Sequence, residues 1–299
     1  MANRREFITY GSAVALTATM AIPALSQQRL LPSRPIPGTD ESLPVVGLGN
    51  SRSFRADDLS LASDLLDIFL EHGGRYVDVG GSSAFSVGKL AQEKNATEQL
   101  FLGNYVDPRD VSVMRQEVLT IAKAQGKRAL DLIHTRNTSA YRAQHDKYLA
   151  LKEDGLVRYT GIARSGRDNF DSIAQLIESG LVDFIQVNYS LVEPEAAQRL
   201  LPLAMDKGVA VNINRPFQNG NFFSMVRGKE LPKWAADFDC ESWAQFSLKF
   251  ILAHPAVNCV LTETADPSHA IDNLGAGFGR LPDAQQQQRM LEVIRGFSG

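Results

Sequence analysis

The sequence predicts an α/β fold, a single (β/α)8 TIM barrel, and three observations carry that expectation. Short apolar runs of strand length alternate with longer amphipathic runs along the chain. Many of the amphipathic runs stop on a glycine, a helix-ending signal, at Gly73, Gly126, Gly155, Gly180 and Gly208. Polar side chains recur where the apolar runs end. Repetition of a strand and a helix implies right-handed crossovers and a parallel sheet. Eight such units fit a closed barrel better than an open doubly wound sheet.

In chain order, the expected strands are Val45–Leu48, Tyr76–Val79, Leu100–Tyr105, Leu130–His134, Tyr159–Ala163, Asp183–Asn188, Ala210–Asn214 and Cys259–Leu261. Between them, Leu59–His72, Val111–Gln125, Tyr141–Asp154, Asn169–Ser179 and Pro194–Lys207 read as helices. Tyr76–Val79 is followed by the run Gly80-Gly-Ser-Ser-Ala-Phe-Ser, read as a glycine- and serine-rich loop. Phe217–Glu241 is an excursion after the seventh strand, and an excursion of that length in a compact domain is expected to be a functional cover. Asp283–Phe297 reads as an added C-terminal helix. No Gly-x-Gly-x-x-Gly follows the first strand, so the dinucleotide fingerprint of a doubly wound sheet is missing.

Ahead of the barrel, residues 1–26 read as an export signal. Arg4-Arg5-Glu-Phe-Ile precedes a mildly apolar run, Gly11 to Ile22, and small residues close it near Ser26. The paired arginines resemble the twin-arginine type, which places the mature protein in a bacterial periplasm. The apolar run is broken by Gly, Thr and Pro, so no stable membrane anchor is expected. Residues 27–42, rich in Pro and Ser, read as a linker, and residues 43–299 as the barrel domain. The net charge of −3 carries no basic patch of the kind nucleic acid needs, which leaves a small-molecule partner. Of the two cysteines, Cys259 lies in an apolar run and reads as a buried thiol. No His, Asp or Glu cluster has metal-ligand spacing.

In a barrel of this kind chemistry gathers at the C-terminal ends of the strands. The residues there are Asp78, Tyr105, His134 with Arg136, Arg164, Gln186, Asn214 with Arg215, and Glu263 with Thr264. A carboxylate at the exit of a buried strand is costly unless it is paired or working.

The motifs Leu-Pro-Val-Val-Gly-Leu-Gly (43–49), Asp78, Asp131-Leu-Ile-His134, Gly161-Ile-Ala-Arg164, Gln186-Val-Asn-Tyr-Ser-Leu191 and Asp266-Pro-Ser-His-Ala-Ile-Asp-Asn273 resemble the aldo/keto reductases. The resemblance implies NADH- or NADPH-dependent reduction of a small carbonyl compound. In that family a Tyr donates the proton, a Lys and an Asp tune it, and a His orients the substrate. Asp78 and His134 fall on the Asp and His positions. Ser83 stands where the resemblance places the Tyr, and Tyr105 where it places the Lys. Among the cofactor positions it implies Gln186, Asn214, Glu263, Thr264, His269 and Asn273. A carboxylate at Glu263 disfavours a 2′-phosphate, and so NADPH relative to NADH.

Three functional expectations follow. The first is a reductase in which Tyr105 supplies the proton, its pKa lowered by Arg136, Arg164 or Arg215. The second is a non-redox lyase, isomerase or hydrolase acting on an anionic substrate held by those three arginines. The third is a non-catalytic periplasmic relative that binds a ligand or partner.

Overall fold

The computed structural model describes residues 29–297 of the 299-residue chain, and the expected leader lies outside the described residues. Eight parallel strands close into a barrel: β3 (Val46–Leu48), β4 (Tyr76–Asp78), β5 (Phe101–Tyr105), β6 (Leu130–Thr135), β7 (Val157–Ala163), β8 (Phe184–Asn188), β9 (Ala210–Asn214) and β10 (Val257–Thr262). Neighbours in sequence are neighbours in space, and β10 pairs with β3 to complete the circle. The expected TIM barrel is therefore the fold, and all eight strands lie where the apolar runs place them. The five helix-ending glycines all adopt left-handed backbone, with φ between 66° and 74°. A side chain there would strain the turn back toward the next strand.

Four sequence expectations need correction. The run taken as a linker contains an antiparallel hairpin, β1 (Ser33–Pro35) and β2 (Ser42–Pro44). Its Ile36 and Leu43 are buried beneath the barrel against Tyr76, Phe101, Leu132 and Phe184. The Pro and Ser residues that read as a linker lie mostly in these two strands, Ser33 and Pro35 in one and Ser42 in the other. Next, the glycine- and serine-rich run after Asp78 is the start of a helix, Ser82–Glu93. The Tyr141–Asp154 run is split into two helices, Thr138–Ala143 and His145–Glu153. Finally, most of the Phe217–Glu241 excursion packs on the barrel's flank rather than covering its mouth. Phe222, Trp234 and Phe238 sit among Trp243 and Phe246 of the helix Trp243–Leu252.

The barrel interior is filled by aromatic rings in edge and tilted contacts. Tyr76 meets Phe101 at 5.5 Å between centroids, Phe101 meets Phe184 at 5.9 Å, and Phe184 meets Tyr159 at 5.3 Å. Such pairs add stabilisation beyond the area they bury. Room for Tyr76 comes from the neighbouring strand β5: a Cβ on Gly103 would lie 2.5 Å from the Tyr76 hydroxyl. The C-terminal helix Ala284–Arg295 begins with an Asp283–Gln286 capping box and buries Met290 and Ile294. Both cysteines are free and buried, and burial pushes the Cys240 thiol up to about 12 and the Cys259 thiol further.

At the barrel's lower end a charged network locks the hairpin in place. Asp131 accepts from Lys127 Nζ and the Leu102 amide at 2.9 Å each, and from Arg158 at 2.8 Å. Arg158 also pairs with Glu41 of the hairpin loop, which Tyr159 reaches at 2.8 Å. Asp131 and Lys127 are almost wholly buried, at 5% and 6% side-chain exposure. Removing one partner therefore strands the other charge. Asp131→Ala is expected to cost about 3 kcal/mol, read from urea unfolding, because Lys127 is left unpaired. A loss under about 0.5 kcal/mol, the range of exposed pairs, would show that water reaches the site.

Candidate active site

The upper ends of β4, β5, β6 and β8 bring four side chains into one cluster. Asp78 ends β4 with its carboxylate buried. Tyr105 ends β5, and its hydroxyl donates to Asp78 Oδ2 at 3.3 Å. Gln186 of β8 directs Nε2 at the same oxygen at 3.5 Å and at the Tyr105 hydroxyl at 3.3 Å. His134 Nε2 approaches Asp78 Oδ1 to 3.2 Å, close enough for an ion pair but outside hydrogen-bond alignment. The two rings, Tyr105 and His134, lie 4.2 Å apart.

Tyr76, one layer down, decides how Gln186 points. Its hydroxyl donates to Gln186 Oε1 at 3.3 Å. With the amide oxygen so occupied, the amide nitrogen must face upward, toward Asp78 and Tyr105. Burial, then the Asp78 charge, pushes the Tyr76 phenol well above its usual pKa, so it stays a donor.

Tyr105 departs from its expectation. Burial raises its pKa first and Asp78 second; the Arg136 guanidinium, 3.9 Å above the ring, pulls the other way and loses. The phenol is therefore held well above its ordinary range instead of below it. Arg164 and Arg215 do not alter this. Arg164 Nε donates to Asn169 Oδ1 at 2.9 Å, and Arg215 Nε to Asn219 Oδ1 at 3.2 Å. Ser83, at the position the resemblance gives to the Tyr, is fully buried in the first turn of its helix. It accepts from the Gly80 amide at 2.8 Å and donates to Asn50 Oδ1 at 2.8 Å, a structural bolt between two loops.

Above the cluster opens a cavity of about 780 Å³. Asp78, Tyr105, Arg136, Arg164, Gln186, Asn214, Arg215 and Glu263 all line it. Arg52 and Arg55, which sequence reading missed, line it too. They follow β3 on a short 3-10 turn, and the strand-end rule applied to Asn50 would have led to them. None of the five guanidiniums is ion-paired within 4.0 Å among the described residues. Two carboxylates, Asp78 and Glu263, oppose them. Glu263 folds across Gly49, where any Cβ would strike its Cγ at 2.6 Å. Desolvation and then Asp78 raise its pKa, and Arg55 and Arg52 partly offset this.

The remaining expected positions do not border the cavity. Thr264 Oγ1 accepts from the Asp266 amide at 3.0 Å, His269 is exposed on the helix Pro267–Gly275, and Asn273 is buried in it. Among the described residues no group of three His, Cys, Asp or Glu could hold a metal, and no helix is long and apolar enough to cross a membrane.

The aldo/keto reductase family profile matches residues 46–290. The chain belongs to the aldo/keto reductase family. The fold is similar to the holo form of the aldo-keto reductase AKR11C1 from Bacillus halodurans, with a TM-score of 0.73 at 18% identity over 88% of this chain and 96% of that one. It is similar to a Klebsiella pneumoniae aldo/keto reductase in complex with NADP and acetate, with a TM-score of 0.71 at 16% identity over 86% and 94%. In sequence, the NADH-specific methylglyoxal reductase of Escherichia coli K12 is 33% identical over 70 residues, 23% of this chain. That match spans only 21% of the reductase.

The Tyr76 contact is directly testable. Tyr76→Phe removes the only donor to Gln186 Oε1 among the described residues and is expected to cost about 1 kcal/mol in urea unfolding. An unchanged midpoint would mean that Gln186 is held by something else.

Proposed function

We propose that the protein is a nicotinamide-dependent oxidoreductase acting on a small, negatively charged carbonyl compound, with Tyr105 in place of the usual proton donor. The observation that carries this reading is the Tyr105–Asp78–Gln186 cluster at the floor of an arginine-lined cavity.

The residues present fit a nicotinamide nucleotide. Among the described residues Asn214 Oδ1 is buried without a hydrogen-bond partner and belongs to a cavity-lining residue, so a carboxamide N–H would satisfy it. The free guanidiniums suit a diphosphate or a carboxylate, which they grip bidentately. A nicotinamide bound there would supply the hydride. Tyr105 then gives its proton to the carbonyl oxygen. An alkoxide is a stronger base than an ordinary phenolate, which drives this transfer, while the raised pKa of Tyr105 works against it. Arg136 over the ring offsets the charge left on Tyr105, and the open cavity lets water restore the proton. Without a lysine neighbour the step is expected to be slow. Glu263 makes NADH the better-suited cofactor, since a 2′-phosphate near it meets like charge.

The first test is titration of the protein, without residues 1–26, with NADH and NADPH, followed by nicotinamide fluorescence. Saturable NADH binding, weaker NADPH binding and reduction of a 2-oxo acid are expected. No binding of either at millimolar concentration would sink the proposal. Tyr105→Phe should then lower kcat/KM by about 10²–10⁴-fold. Because its pKa is raised, Tyr105 keeps its proton as pH climbs, so reduction should stay level to at least about pH 10. Asp78→Asn removes a charge that raises it and should move the alkaline fall downward. A wild-type fall between neutrality and about pH 9 would contradict this protonation state.

The twin-arginine leader supports export to a bacterial periplasm. Arg4→Lys with Arg5→Lys should retain the protein in the cytoplasmic fraction of its own host. Unchanged fractionation would refute that route.

A further inference from the structure

A second cavity, of about 630 Å³, lies between the helices Ser82–Glu93 and Val111–Ala124, beside the mouth. Tyr105 borders both cavities, and Gly80, which lines this second one, packs on the Tyr105 ring. A Cβ on Gly80 would sit 3.0 Å from Tyr105 Cδ2, so the glycine lets the ring lie flush against the loop. Gly81 and Ala84 continue the run of small residues, and a Cβ on Gly81 would meet nothing within 4 Å. Three small residues, Gly80, Gly81 and Ala84, thus line the groove beside the Tyr105 ring.

The chemistry of this groove is unlike that of the mouth. Phe85 from one helix and Val113 from the other remain 46% and 45% exposed, although both face the same hollow. Ala84 and Ile121 lie beneath them, buried. Single exposed apolar residues are ordinary, but two large ones sharing one concave surface leave a site for apolar contact. The charged lining residues, Arg109 and Glu117, are paired with each other at 3.0 Å and leave no net charge to attract an ion.

We propose that this groove binds the alkyl or aryl substituent of the carbonyl substrate, whose reacting oxygen lies at Tyr105 and whose anionic group lies among the arginines of the mouth. The proposal rests on the oxidoreductase reading for the placement of the carbonyl. It goes further by giving the substrate two unlike ends: a charged head and an apolar tail several methylenes long. Phe85 and Val113 then act as specificity residues, since they touch the tail and not the reacting atoms.

Calorimetric titration of the cofactor-free protein with butanoate, hexanoate and octanoate tests this without requiring turnover. Affinity should rise about fourfold for each methylene that enters the groove. Phe85→Asp and Val113→Asp, both at exposed helix positions, should abolish the rise while retaining the wild-type circular dichroism spectrum. Two variants guard against one misfolding. A flat series in the wild type, no binding of octanoate at millimolar concentration, or a rise that persists in both variants would overturn the groove. A rise that is lost in the variants, in a protein that shows no nicotinamide binding, would overturn the redox reading and leave the groove standing.

Discussion

The structure turns on the cost of burying one carboxylate. Asp78 ends a strand inside the barrel, where an unpaired charge is strongly disfavoured. Its two oxygens are met by Tyr105 and Gln186 on one side and His134 on the other, each from a different strand. The contacts run from 3.2 to 3.5 Å, which is long for charge-assisted bonds. A carboxylate held this loosely keeps acceptor capacity for a ligand.

That arrangement also sets the protonation of Tyr105. A lysine beside a phenol lowers its pKa, whereas here the tyrosine itself is the neighbour of the carboxylate, and its pKa rises. The guanidinium stacked above the ring softens the effect without reversing it. Burial and Asp78 therefore hold Tyr105 in its neutral, proton-bearing form.

The charge pattern around this cluster has the same logic at longer range. Five guanidiniums face two carboxylates across the cavity, although the whole chain carries a net charge of −3. Local excess of one sign in a concave, partly desolvated site attracts oppositely charged ligands far more than the net charge suggests. The groove beside it has its two charges tied to each other and offers apolar surface instead. A ligand with two unlike ends suits the pair.

The sequence by itself determined the barrel and the rim. Period and punctuation are local properties, and glycines such as Gly126 and Gly180 end helices for reasons confined to a few residues. Asp78, Tyr105, His134 and Gln186 were legible as strand ends, and strand ends share one mouth in any closed parallel barrel. Whatever depends on contacts between distant residues was decided by the tertiary structure. Glu41 and Arg158 are 117 positions apart, so nothing in the Pro- and Ser-rich stretch announces that it is pinned under the barrel. Ser83 looks like a lost catalytic position until Asn50 and Gly80 show it to be a bolt. The direction of the Tyr105 shift was out of reach for the same reason. It is a difference between burial, Asp78 and Arg136, and sequence names these contributors without weighing them.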